Sequence, residues 1–168
     1  MIKKLLLVIL LLNCLSTIKA QSLNWFVSAH AGAGNFKTAS ANGAVLAGFK
    51  NERGQQVAMG PVVKGFMQNG IMENVIGGRL YSQMNLAGPV DVYLQCDLTN
   101  GRNQLTSAKA QVPVRLETGM GLNFMIRENV GIGCGYTFGE YNPVSQQRKS
   151  SPVLKLTYLM PFQSSRNW

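Results

Sequence analysis

The 168-residue chain carries a formal charge of +9, yet only 14% of its residues are charged while 46% are apolar. Soluble domains average roughly 25% charged residues, so something other than water is expected to face much of this surface. The basic excess is scattered, with Arg148 and Lys149 the only adjacent pair beyond residue 20, which argues against the clustered, aromatic-interleaved cationic face of a nucleic-acid binder.

Reading begins with Lys3 and Lys4, followed by the apolar run 5–12 and a polar stretch that ends Thr17, Ile18, Lys19, Ala20. This is the layout of a secretory signal peptide, expected to span residues 1–20 with cleavage after Ala20. The run is far short of the roughly 20 residues of a spanning helix. Cys14 follows Leu12 and Asn13, not the small residue that lipoprotein processing favours, so lipidation is not expected. Residues 21–168 are long enough for one domain and are expected to form a single one. Without Lys3, Lys4 and Lys19, that domain keeps 13 basic residues against 7 acidic ones.

Beyond the leader no apolar stretch reaches spanning length, because Gly, Gln, Asn, Arg and Asp interrupt every candidate. Only helices and closed barrels satisfy their backbone in lipid, so a membrane protein of this sequence has to be a barrel. Segments of about ten residues with period-two alternation are the corresponding signal. In chain order they are 24–34, 43–50, 56–66 and 73–83, then four clearer ones. In 89–98, Val90, Val92, Leu94, Cys96 and Leu98 share a face opposite Asp91, Tyr93, Gln95 and Asp97. In 111–124, Val112, Val114, Leu116, Met120, Leu122 and Phe124 oppose Gln111, Arg115, Glu117, Gly119, Gly121 and Asn123. Val130, Ile132, Cys134, Tyr136 and Phe138 then oppose Gly131, Gly133, Gly135, Thr137 and Gly139, and Leu154, Leu156, Tyr158, Met160 and Phe162 oppose Lys155, Thr157 and Leu159.

The pattern predicts an all-β fold: an eight-stranded antiparallel up-and-down transmembrane β-barrel. Sharp turns are expected at Asn51-Glu52-Arg53-Gly54, Asn85-Leu86-Ala87-Gly88 and Arg127-Glu128-Asn129, on the periplasmic side. Longer outward connections are expected over 35–42, 68–72, 99–108 and 140–151. A soluble lipocalin-like barrel also alternates, but it needs a polar exterior, and here the face opposite the apolar one is too rich in glycine to provide it. That face suits a narrow lumen filled by side chains. Arg79, Arg115, Glu117, Asp91 and Asp97 are expected to form an internal ion network, since charges inside a barrel need partners.

The stretch Gly121-Leu-Asn-Phe-Met-Ile-Arg-Glu-Asn-Val-Gly-Ile-Gly-Cys-Gly-Tyr136-Thr-Phe resembles the penultimate hairpin of small OmpA/OmpX-type outer-membrane β-barrel proteins. The segment 154–162 is similar to the closing strand of that class, whose alternating apolar residues and end aromatic are read by the outer-membrane insertion machinery. The resemblance implies the same assembly route and the outer membrane of a bacterial cell. One departure is that residues 163–168 continue past Phe162, so either Phe162 or Trp168 supplies the end aromatic. No catalytic residue carries over.

Cys96 and Cys134 fall on the apolar face of non-neighbouring segments, where they are expected to be unpaired small hydrophobes. Gly-x-Gly at Gly131 to Gly135 lacks the strand-to-helix setting of a phosphate loop and is read as tight interior packing. His30 is the only histidine and Ser28 shares its face, which raises a lipid hydrolase such as a lipid A-modifying enzyme as an alternative. Both are expected to face the lumen with no acidic orienting group, so no catalytic, cofactor-binding or metal residue is assigned and no cofactor is expected. The expected role is structural or accessory in the envelope, with possible protein partners there, as a subunit of a larger machine. A narrow pore is a further alternative that eight strands disfavour. Outer-membrane lipids and lipopolysaccharide are the expected surroundings, and the basic excess has either a solvated-loop reading or a role against acidic headgroups.

Overall fold

Alternation of apolar and polar residues across a pleated backbone puts one set of side chains on each face of a strand, and the chain uses this eight times. The computed structural model describes residues 23–34, 39–51, 54–100, 114–145 and 147–161. The strands are β1 (Leu23–Gly34), β2 (Ala39–Asn51), β3 (Gln56–Gln68), β4 (Ile71–Ala87), β5 (Val90–Asn100), β6 (Val114–Arg127), β7 (Val130–Asn142) and β8 (Gln147–Pro161). Each pairs antiparallel with its sequence neighbour, and β1 pairs with β8 from Phe26 opposite Pro161 to Gly34 opposite Val153, which closes the sheet. Closure leaves no free strand edge. The expected signal peptide and the residues after Pro161, including Phe162 and Trp168, lie outside the described residues.

The strand phase matches the sequence pattern. On β8, Ser151, Val153, Lys155, Thr157 and Leu159 are buried, while Leu154, Leu156, Tyr158 and Met160 are exposed. On β5, Asp91, Tyr93, Gln95 and Asp97 point to the interior. The outer surface exposes large apolar side chains such as Phe124 (52%), Ile132 (51%) and Leu156 (50%), the inverse of a soluble barrel. The lipocalin-like alternative is thereby set aside.

Several elements run longer than the pattern indicated, and their connections are correspondingly tighter. β2 starts at Ala39 and not at 43, β4 extends to Ala87, and β7 continues to Asn142. The expected outward connection 68–72 is a two-residue turn at Asn69 and Gly70, with φ of 53° and 77°. Two positive φ angles make the hairpin turn that Asn-Gly favours, because its twist matches that of the flanking strands. The expected turn at 85–88 narrows to Gly88 and Pro89, with Asn85 Nδ2 donating to the Gly88 carbonyl at 2.8 Å. Residues 101–113, and with them Val112 and Gln111, lie outside the described residues.

Candidate functional site: the filled interior of the barrel

Among the described residues, irregularities in pairing fall at Asn85/Ala87, Met125/Arg127 and Thr137/Glu140. The last one matters most for the interior. Strict alternation along β7 would put Glu140 on the outer face with Tyr136 and Phe138. A bulge there, with Gly139 at φ 67°, adds a residue and turns Glu140 inward, where it is buried.

The inward charges meet in one layer. Lys64 on β3 is 2% exposed, and its Nζ lies 2.8 Å from Asp97 Oδ2, 2.5 Å from Glu117 Oε2 and 3.8 Å from Glu140 Oε1. Arg79 grips the same Asp97 with both edges of its fork, Nε to Oδ1 at 2.8 Å and Nη2 to Oδ2 at 2.9 Å. Bidentate geometry of this kind fixes orientation as well as charge. Asn42 accepts from Arg79 at 3.3 Å, Thr99 donates to Glu117 at 3.4 Å, the Tyr141 amide donates to Glu117 at 3.1 Å, and Ser151 donates to Glu140 at 3.4 Å. Every strand from β2 to β8 thus contributes to this layer. Removing two such charges from water costs several kcal/mol per ion, and only mutual pairing with filled hydrogen-bond shells repays it.

Beside the charged layer, the lumen is filled by rings. Tyr81 and Tyr93 stack with centroids 5.8 Å apart, His30 meets Tyr81 edge-on at 4.6 Å, and Lys155 Nζ lies 3.7 Å and 4.0 Å from the centroids of the two tyrosines. A cation against two ring faces gains electrostatically from the quadrupoles. Tyr93 has room because Gly121, its register partner on the adjoining β6, and Gly135 beside that on β7 carry no side chain: a β-carbon at either would collide with its hydroxyl. An apolar patch of Phe26, Leu46, Ala58, Val62 and Leu159 completes the filling on the β1–β3 side. Nearer the short turns, Tyr81 donates to Gln83 Oε1 at 2.6 Å, Gln83 donates to Asp91, and Asn85 donates to Asp91 at 2.8 Å.

Of the residues expected to form an internal network, Arg79, Asp97 and Glu117 do so together. Asp91 sits apart with Gln83 and Asn85, and Arg115 stacks its guanidinium on the Tyr141 ring at 3.1 Å, so these two are corrections to the expected grouping. Their register explains the separation, since Asp91 lies at the short-turn end of β5 and Arg115 at the opposite end of β6. Lys64 and Glu140 are the members that sequence reasoning missed. Lys64 alternates correctly with Val62 and Phe66 and was legible, whereas Glu140 depends on the bulge.

Ser28 and His30 do face the lumen, 1% and 3% exposed. Neither Ser28 Oγ nor either ring nitrogen of His30 has a protein hydrogen-bond partner among the described residues, so the pair is not wired as a nucleophile and its base. Among the described residues no group of His, Cys, Asp and Glu is placed to hold a metal ion. Cys96 and Cys134 are free, on β5 and β7 with β6 between them. Both take outward positions, but Cys96 is screened by its neighbours while Cys134 is exposed.

No family model matches the chain, and no curated protein matches it. Solved structures share its architecture, two of them over the whole of their own length. The N-terminal β-barrel domain of Pseudomonas aeruginosa OprF is 11% identical, with 83% of this chain and 100% of that one covered at a TM-score of 0.55. Neisserial surface protein A is 15% identical, with 84% and 100% covered at a TM-score of 0.54. At these identities the likeness is one of fold, and it joins the apolar exterior and the filled polar interior in one conclusion: this chain has the eight-stranded fold of the small OmpA/OmpX-type outer-membrane β-barrels.

Proposed function

We propose that the protein is an integral barrel of the bacterial outer membrane with a structural or accessory role, acting through its surfaces and not through a conduit. The observation that carries this reading is the obstructed lumen. A charged layer drawing on β2 to β8 and a tyrosine–lysine layer beside it occupy the space through which a solute would pass. An eight-stranded interior is just wide enough for its own side chains, so such layers leave no aqueous path. The unwired Ser28 and His30 give the hydrolase alternative no support.

The test combines cell fractionation with planar-bilayer recording and with pull-down from detergent-solubilised outer membranes. The expected result is outer-membrane partitioning, a heat-sensitive gel mobility, no steady conductance, and envelope proteins that co-purify. A stable open conductance of the wild-type barrel would overturn the occluded reading. Absence from the outer membrane would overturn the location.

A further inference from the structure

The short-turn end of the barrel holds an open cup below the filled lumen. Lumen-facing residues of six strands line it: Phe26 of β1, Lys50 of β2, Gln56 of β3, Asp91 of β5, Met125 of β6 and Leu159 of β8. Toward the middle of the barrel the cup is closed, because Gln83 and Asn123 are 1% and 0% exposed and Asn123 Nδ2 donates to Gln83 Oε1 at 3.4 Å. It is a blind concavity and not the entrance to a channel. Its two lobes share Lys50 and Glu128. The first, about 440 Å³, has a floor of Phe26 and Leu159 and a rim of Lys50, Arg127, Glu128 and Asn129. The second, about 460 Å³, adds Gln56, Asn85, Asp91 and Met125 to the shared pair. Either volume lies within the range of small-ligand pockets, about 300 to 1,000 Å³.

Charge is divided unequally between the lobes. The first has two cations against one carboxylate, the second two carboxylates against one cation. Among the described residues no ion pair within 4 Å joins Glu128 to Lys50 or to Arg127, so these groups face the cup without neutralising one another. The second lobe also contains the Gln56 side chain, 3% exposed, whose Oε1 has no hydrogen-bond partner among the described residues. A buried carbonyl oxygen in that state calls for a donor. Lys50 and Gln56 are register partners across β2 and β3, which seats the cation and the amide side by side.

We infer that this cup binds the carboxyl-terminal end of a peptide. An apolar last residue rests on Phe26 and Leu159, its carboxylate is held by Lys50 and Arg127, and a basic side chain two residues earlier is held by Glu128 and Asp91. An extended peptide puts residues two apart on the same side, so both side chains enter the cup together. Its backbone amides supply donors for Gln56 Oε1. A polyanion such as phosphate fits the second lobe badly, a simple cation the first, and an acyl chain the charged rim. The inference deepens the proposed function by giving the chemistry of a partner, and it rests on the reading of the barrel as membrane-embedded with its short turns in the periplasm.

The test uses the full chain refolded into phosphatidylcholine nanodiscs, which leave both ends of the barrel open to solvent, with heat-modifiable mobility as the report of folding. The probe is a fluorescein-labelled hexapeptide of glycines with lysine at its fourth position and phenylalanine at its last, the carboxyl terminus free, followed by fluorescence anisotropy. Saturable binding is expected. Amidation of the peptide's carboxyl terminus, or glutamate in place of its lysine, should each weaken binding by about tenfold, the loss of one charge-assisted contact. Arg127→Gln should cost the free-acid peptide about tenfold and the amidated one nothing further, which ties the carboxylate to that residue. Arg148→Gln, on the first turn of β8 at the other end, should change neither. Equal binding of acid and amide, an equal effect of Arg127→Gln on both, or displacement by millimolar inorganic phosphate or maltose would each overturn the peptide site. Failure of the folded barrel to bind the peptide overturns the cup and leaves the barrel reading intact, whereas failure to enter the bilayer overturns both.

Discussion

Two adjoining stretches of the lumen wall are built on opposite plans. On β4 and β5 the inward positions carry long polar and aromatic side chains: Arg79, Tyr81, Gln83, Tyr93, Gln95 and Asp97. On β6 and β7 they carry Gly119, Gly121, Gly131, Gly133 and Gly135 for much of their length. The difference teaches that glycine on an inner face is a seat for a long side chain of the adjoining strand and not a thinning of the core. The Tyr93 hydroxyl reaches Gly121 and Gly135, and the Gln95 side chain meets the space over Gly119. An eight-stranded cylinder has too little width for bulk at every inward position, so length on β4 and β5 requires its absence on the neighbouring β6 and β7.

The comparison breaks first at the charges carried by the bulky wall. Lys64→Met would leave Glu117 and Glu140 without their cation and release one partner of Asp97, and breaking a buried pair costs about 3 to 5 kcal/mol. Urea unfolding of the refolded barrel should show a loss of that order. A loss well under 1 kcal/mol would mean that the ionic layer is not what holds the walls in register.

A somewhat smaller effect separates the inside from the outside on the closing strand. Leu156→Arg puts a cation on the lipid face, at a cost of about 2 to 4 kcal/mol near the bilayer midplane, whereas Lys155→Arg keeps a cation in the lumen. Impaired assembly is expected of the first variant alone. Equal insertion of both would contradict the facing of β8.

The glycine wall itself is probed by Gly135→Ala. Its new methyl would collide with the Tyr93 hydroxyl and crowd the Met120 carbonyl, and such overpacking costs about 1 to 3 kcal/mol. Tyr93→Phe in the same chain removes the hydroxyl and should restore part of the loss. A double-mutant cycle with no coupling would show that the Tyr93 ring does not rest on the glycine strands.

The smallest change is expected at Ser28, whose Oγ bonds to no protein group. Ser28→Ala should alter stability by no more than about 0.5 kcal/mol. Ser28→Ala and His30→Ala should also leave the acylation pattern of lipid A unchanged by mass spectrometry. A lost lipid product in either variant would return the pair to consideration as a catalytic site.

The alternation in residues 89–98, 130–138 and 154–162 was enough to assign every described side chain there to the correct face, because period two is a local property of an extended backbone and needs no partner strand. The glycine run Gly131, Gly133 and Gly135 likewise announced an inner wall that water does not cover. The Asn69-Gly70 dipeptide also carried its hairpin in plain letters, although the apolar residues around it, Met67, Ile71 and Met72, hid the strand ends in a longer expected loop. Strand lengths were less legible, since Ala39, Ser40 and Ala41 alternate too weakly to separate strand from loop.

What the sequence by itself determined, then, is the barrel: eight amphipathic segments whose apolar faces favour lipid, joined on one side by sharp turns. What only the tertiary structure decided is who meets whom inside. Lys64 stands 53 residues from Glu117, and Arg79 stands 18 from Asp97, and nothing local relates them. The extra residue of the bulge at Gly139 reverses the facing of Glu140 and delivers a third carboxylate to Lys64. Such contacts follow from strand register around a closed cylinder, a long-range constraint that becomes visible only when β8 has paired with β1.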